Sequence, residues 1–174
     1  MEQPQSAGEL TPVARALLGV TATALWRLAA GSEDAAIPLP GTLVFETDRG
    51  FVTLSYAQKG LSCRGPMRRD EIRWDTEPDL AMRGARNTEE WLDLVPLAEA
   101  PALPLVVQLV TGWFGVGSYV DTFALILSGG GRSLVLTTTD DFDLRPASYD
   151  DARRRAELVA GNLGLRLVED VQRI

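Results

Sequence analysis

The sequence predicts an α+β fold: a mainly antiparallel, curved β-sheet built from hairpins and a meander, with a C-terminal helix packed on it and a short N-terminal helix. Three stretches carry that expectation. Leu105–Thr139 reads LVVQLVTGWFGVGSYVDTFALILSGGGRSLVLTTT, three apolar, β-branched-rich runs split by two glycine-rich turns, which is the pattern of an antiparallel meander. Thr42–Asp48 and Phe51–Ala57 read as a hairpin around Asp48-Arg49-Gly50, where Gly50 can take positive φ. Ser148–Asn162 is the best helix: Ser148 and Asp151 fit a capping box, and Asp150 and Asp151 oppose the positive end of the helix dipole. Ala152, Ala156, Val159 and Leu163 give that helix an apolar stripe, and Gly164 is its natural C′ residue.

Taken in order, Met1–Glu9 is polar with proline and glycine and reads as a disordered tail, so the single α+β domain is expected over residues 10–174. Thr11-Pro12 fits an N-cap followed by proline at the first helical position, opening a short helix of about Pro12–Leu18 that Gly19 ends. Val20–Leu28 alternates, with Val20, Ala22, Ala24, Trp26 and Leu28 on one face and spaced threonines on the other. That favours a strand; its rival is one long helix through Leu28. Gly31–Gly41, with Pro38 and Pro40, reads as a loop. A further short strand is placed at Leu61–Arg64.

Gly65–Ala102 is the least regular part, interrupted by Pro66, Pro78, Pro96 and Pro101. A short strand over Glu71–Asp75 and a helical turn capped by Asn87 or Thr88, holding Trp91 and Leu92, are its candidate elements. In the meander, Leu105–Val110 is nearly all apolar, as a strand buried on both faces would be. Alternation puts Tyr119, Asp121, Phe123, Leu125 and Leu127 on one face of the second strand, and Arg132–Thr138 forms the third. Leu165–Val168 returns as a last short strand. The hairpins LVFETDRGFVTLS and LILSGGGRSLVLT align without gaps, Leu43 over Leu125 and Leu54 over Leu136, an echo that two unrelated hairpins can also share.

Composition bounds the function. A chain of 174 residues with 45% hydrophobic and 24% charged residues suits one globular domain without metal or disulfide staples. The net charge of −7 argues against nucleic acid or an anionic membrane as partner and favours a basic protein. Histidine is absent, which excludes Ser-His-Asp and Cys-His triads and His-ligated zinc. The one cysteine, Cys63, forms no intramolecular disulfide and no CxxC metal site. No cofactor and no metal is expected. Met1–Leu10 lacks the basic and apolar regions of a secretory signal, and no stretch is long and apolar enough to span a membrane, so the expected location is cytoplasmic and the expected state a monomer or homodimer.

Few residues carry candidate chemistry. Gly112, Gly115 and Gly117 lie between strands and do not open a helix, so they lack the dinucleotide-binding context. Trp113, Phe114 and Tyr119 flank that turn, where they form either a binding rim or the end of the core. Asp121, on a face otherwise apolar, needs a partner such as Arg27, Arg73 or Arg132. It is either a general acid or base at the sheet edge or a structural residue bonding turn amides. Asp140, Asp141 and Asp143 follow the third strand without EF-hand spacing, and read as an acidic edge suited to docking a basic protein.

Two functions follow as expectations. The first is a non-enzymatic interaction protein that binds a basic protein partner through Trp113, Phe114, Tyr119, Asp140, Asp141 and Asp143; in size, acidity and its aromatic loop the chain is similar to many bacterial immunity and inhibitor proteins. The second is a small-molecule-binding domain or carboxylate-based hydrolase in which Asp121 works with Asp140 or Asp141.

Overall fold

The structure, a computed structural model, describes residues 5–30, 37–57, 60–72, 92–97 and 102–174. Helix α1 (Gln5–Leu17) leads into strands β1 (Thr21–Ala30), β2 (Ile37–Thr47), β3 (Gly50–Ala57) and β4 (Gly60–Met67). A single 3-10 turn (Arg69–Glu71) precedes β5 (Leu92–Pro96) and β6 (Leu105–Val106). Then come β7 (Leu109–Val116), β8 (Val120–Gly129), β9 (Arg132–Thr138), β10 (Leu144–Pro146), α2 (Tyr149–Leu163) and β11 (Arg166–Arg173).

The α+β class with antiparallel pairing holds, but two sheets replace the one curved sheet. The first has the order β4-β3-β2-β1-β5, with β6 also pairing β1; the second has the order β10-β9-β8-β7-β11. Leu105–Val110 is therefore not one strand. Leu105 and Val106 still pair β1 in the first sheet, and Leu109 begins β7 in the second, so this apolar run is where the chain changes sheets. Both sheets supply side chains to one inner core, Leu25, Phe45 and Leu54 from the first meeting Phe114, Leu125 and Leu136 from the second. Leu10, Val13 and Leu17 of α1 join the same core.

The two sheets repeat a plan. Each is a four-strand meander whose fifth strand returns beside the first, β5 beside β1 and β11 beside β7. Leu43 faces Leu54 across the first hairpin as Leu125 faces Leu136 across the second, and each hairpin turns through two residues, Asp48-Arg49 and Gly130-Gly131. The alignment of the two hairpin sequences thus extends to strand order and register.

Helix α1 begins at Gln5, so residues 5–9 belong to a helix and not to a tail, and Pro12 lies inside it. Proline removes one helix hydrogen bond there, a cost that burying Leu10, Val13 and Leu17 in the core offsets. The region expected as a loop, residues 31–41, is strand from Ile37 onward; Pro38 stands opposite Ala29 in the β1–β2 ladder. The expected strand at Glu71–Asp75 begins with the 3-10 turn, while Arg73–Asp75 and the helical turn at 87–91 lie outside the described residues. Leu92, expected in that turn, opens β5.

Two bulges explain where strand alternation misleads. In β8 the register slips between Trp113 and Phe114, whose partners are Ala124 and Thr122, leaving Phe123 as the extra residue. Phe123 consequently packs with Ala124, Ile126 and Trp113 beneath α2, whereas Leu125 and Leu127 belong to the inner core, so the single face expected for Phe123, Leu125 and Leu127 is divided. In β1 a slip between Ala22 and Ala24 puts Leu25 in the inner core, while Leu28 and Trp26 pack on the outer side with Val44.

Helix α2 covers the outer face of the second sheet. Ser148 is its N-cap, accepting from the Asp151 N–H at 3.1 Å, and Gly164 closes it in the left-handed region at φ 68°. Its buried stripe is Ala152, Ala156 and Ala160; Leu163 is exposed, so the small alanines and not the leucine let the helix lie close to the sheet. The final strand is twice the expected length and pairs β7 along its whole run.

Candidate functional site

One end of the stacked sheets gathers most of the polar side chains singled out above. Antiparallel pairing brings the β7–β8 turn beside the β9–β10 loop, because β8 starts where β9 ends; the Thr138 hydroxyl donates to the Thr122 carbonyl at 2.9 Å across that junction. The first sheet reaches the same end through Tyr56 of β3 and Arg27 of β1.

Asp143 is the centre of a cross-sheet network. It is 8% exposed, not part of an open acidic edge as the sequence implied. Its Oδ1 accepts from Arg27 Nη1 at 2.5 Å, from the Gly41 N–H at 2.9 Å and from the Leu144 N–H at 2.9 Å. Its Oδ2 accepts from Arg145 Nε at 3.3 Å, and Arg27 Nη2 donates to the Leu144 carbonyl at 2.9 Å. Burial alone would raise this carboxyl, but the Gly41 N–H, the Arg27 cation and the Leu144 N–H outweigh it and hold it below its ordinary value. A carboxylate so fully engaged is a structural tie between the sheets.

Asp121 is half-buried; of the arginines considered from sequence, Arg27 bonds Asp143 and Arg132 the Pro104 carbonyl, while Arg73 lies outside the described residues. Asp121 Oδ1 accepts from the Tyr56 hydroxyl at 2.6 Å. Burial above all, then the hydrogen bond and charge of Asp121, push the Tyr56 phenol well above its ordinary value. Arg155 of α2 donates to the Thr138 carbonyl at 2.6 Å and to Asp140 Oδ1 at 3.0 Å, so it connects the helix, the end of β9 and the acidic loop.

The outermost layer is the Thr139–Asp143 loop. Asp140 and Asp141 are exposed, and Asp141 accepts from the Thr139 hydroxyl, which lowers its carboxyl pKa. Phe142, which follows them, takes φ 57°, an uncommon conformation outside glycine, and its half-open ring lies 5.7 Å from that of Tyr56. Tyr119 is exposed on the adjoining β7–β8 turn.

Trp113 and Phe114 do not form a binding rim. Both are fully buried, on opposite sides of the second sheet: Phe114 in the inner core and Trp113 beneath α2. Trp113 donates to Glu169 at 2.8 Å and is closed over by Tyr149, ring to ring at 5.1 Å, and by the Arg153 guanidinium at 5.1 Å. Of the expected set, the structure brings Tyr119, Asp121, Asp140, Asp141 and Asp143 to one end. It adds Tyr56, Phe142 and Arg155, for which the sequence offered one signal, the aromatic Phe142 set between Asp141 and Asp143.

Among the described residues no group of three or more Cys, Asp or Glu side chains is placed to hold a metal ion, and no helix is long and apolar enough to cross a membrane. No protein-family model matches the chain, and no curated protein or solved structure is significantly similar to it.

Proposed function

We propose that this chain is a non-enzymatic interaction protein that docks a basic protein partner, as an inhibitor of a basic toxin or enzyme would, through the end formed by the β7–β8 turn and the β9–β10 loop. The observation that carries this reading is the layering of that end. The buried polar groups, Asp143 with Arg27 and Asp121 with Tyr56, are occupied with each other, while Tyr119, Asp140, Asp141 and Phe142 face outward above them. A partly open aromatic beside two exposed carboxylates can bury apolar area and meet cationic side chains at once. The net charge of −7 would steer a basic partner toward the chain. The hydrolase reading needs a free carboxylate to move a proton, whereas Asp121 is held by Tyr56 and Asp140 by Arg155.

The test is capture from the native cell at about 50 mM salt, where exposed charges are weakly screened, followed by elution with rising salt. The wild-type chain is compared with an Asp140→Lys/Asp141→Lys/Phe142→Ala variant. A basic protein retained by the wild type, released by salt and lost in the variant is the expected result. Absence of any partner at low salt, or equal retention by both chains, rejects the proposal.

A further inference from the structure

We infer that α1 is a releasable plug, held less tightly than the core it completes because its docking buries an unpaired carboxylate oxygen. Asp170 Oδ2 is a buried side-chain oxygen with no hydrogen-bond partner among the described residues. Asp170 stands opposite Gly112 in the β11–β7 ladder, and a Cβ at Gly112 would lie 3.2 Å from Leu10 of α1. Two residues along β11, on the same face, Gln172 donates to the Thr11 hydroxyl of α1 at 3.3 Å. The carboxylate therefore sits on the part of β11 that α1 covers.

A buried acceptor without a partner loses its hydration and gains nothing in exchange. When α1 lifts, Asp170 regains water, so the carboxylate favours the open form. A second, independent weakness lies in the helix itself: Pro12 interrupts its hydrogen-bond ladder, so the helix is poorly held by its own backbone. What closes it is the apolar contact of Leu10, Val13 and Leu17 with the inner core. The arrangement is a segment that opens as a unit while the two sheets stay paired, the behaviour of a locally unfolding element of low stability. Lifting α1 uncovers the apolar side chains it now shields at the edge of β7 and β11.

Amide hydrogen exchange of the full chain tests this. In wild type, amides of Ala14–Leu17 should exchange at least about tenfold faster than those of Phe123–Leu127 in the central strand of the second sheet. In Asp170→Ala, which removes the unpaired oxygen altogether, the α1 amides should slow by roughly tenfold, on the order of the cost of a buried unpaired group. Protection of α1 equal to that of β8 in wild type would show that it does not open separately and would overturn the inference. So would α1 exchange that Asp170→Ala leaves unchanged or accelerates. The wild-type comparison decides the first point even if the variant folds poorly.

Discussion

Arg27 and Asp143 meet at 2.5 Å between the two sheets, each side chain about nine-tenths buried. The guanidinium comes from the middle of β1 and the carboxylate from the loop before β10, so the pair ties elements 116 residues apart. Removing one partner leaves the other charge buried and uncompensated, which typically costs about 3–5 kcal/mol.

Asp143→Asn should therefore destabilise the chain by about 3 kcal/mol near neutral pH, read from denaturant melts. The pH dependence has a fixed sign. The native carboxyl lies below its ordinary value, so its contribution is present above the unfolded pKa of about 3.9 and is lost as pH falls through the native pKa. The gap between wild type and Asp143→Asn should shrink below about pH 4. A gap that stays constant or widens on acidification contradicts the role assigned to this carboxylate.

Hairpins, the meander and the C-terminal helix were legible in the sequence because each is decided by neighbours along the chain. The two-residue turn at Asp48-Arg49 and the cap at Ser148 are local choices of this kind. What the sequence hid was long-range. A bulge of one residue at Phe123 reverses the face of everything on one side of it, and no local pattern marks the slip. Trp113 and Phe114 looked like a rim because they neighbour glycines, yet those glycines exist to admit bulk. A Cβ at Gly112 would overlap the Phe114 ring, and one at Gly115 would lie 2.6 Å from the Phe123 ring. Asp143 was placed at the surface with Asp140 and Asp141 because its partners, Arg27 and Gly41, are more than 100 residues away in sequence.

Gly129 and Gly130 are adjacent glycines with opposite reasons for being glycine. A Cβ at Gly129 would overlap the backbone carbonyl of Val106, where β6 leads the chain toward the second sheet. Backbone cannot rotate aside as a side chain can, so Gly129→Ala should cost about 3 kcal/mol or more, the upper end for overpacking. Gly130 has open space around its Cβ position and only a left-handed φ of 57°. Gly130→Ala should cost about 1 kcal/mol, from conformation alone. Equal melting temperatures for the two variants would refute the close approach at Gly129.

Cys63 lies on β4 against the inner core, and burial pushes its thiol up to about 12. At neutral pH it should carry almost no thiolate, which is the reactive form. Alkylation by iodoacetamide at pH 8 should be at least about tenfold slower in the native chain than in denaturant. Rapid native labelling would mean that β4 opens or that the thiol is accessible.

The Tyr56–Asp121 pair separates a structural role from a chemical one most directly. The Tyr56 hydroxyl donates to Asp121 Oδ1 at 2.6 Å, and Tyr56 is only 4% exposed. A hydrogen bond to a charged group contributes about 1.5–3 kcal/mol. Asp121→Asn keeps the shape but removes the charge, and Tyr56→Phe removes the donor and leaves the carboxylate half-buried without it. Each should lose stability on that order. The double variant should lose less than the sum, by about 1 kcal/mol or more, because both single changes break one contact. Tyr56 also fixes an alkaline signature. Its native phenol is raised, so its contribution is full below the unfolded pKa of about 10 and is lost as pH rises toward the native value. Over that range the unfolded chain ionises Tyr56 while the native chain does not. The advantage of wild type over Tyr56→Phe should therefore shrink above about pH 10, and the Tyr56→Phe curve should lack that part of the decline. Strictly additive losses in the cycle, together with an advantage that grows with alkalinity, would mean that the two residues do not form the pair described.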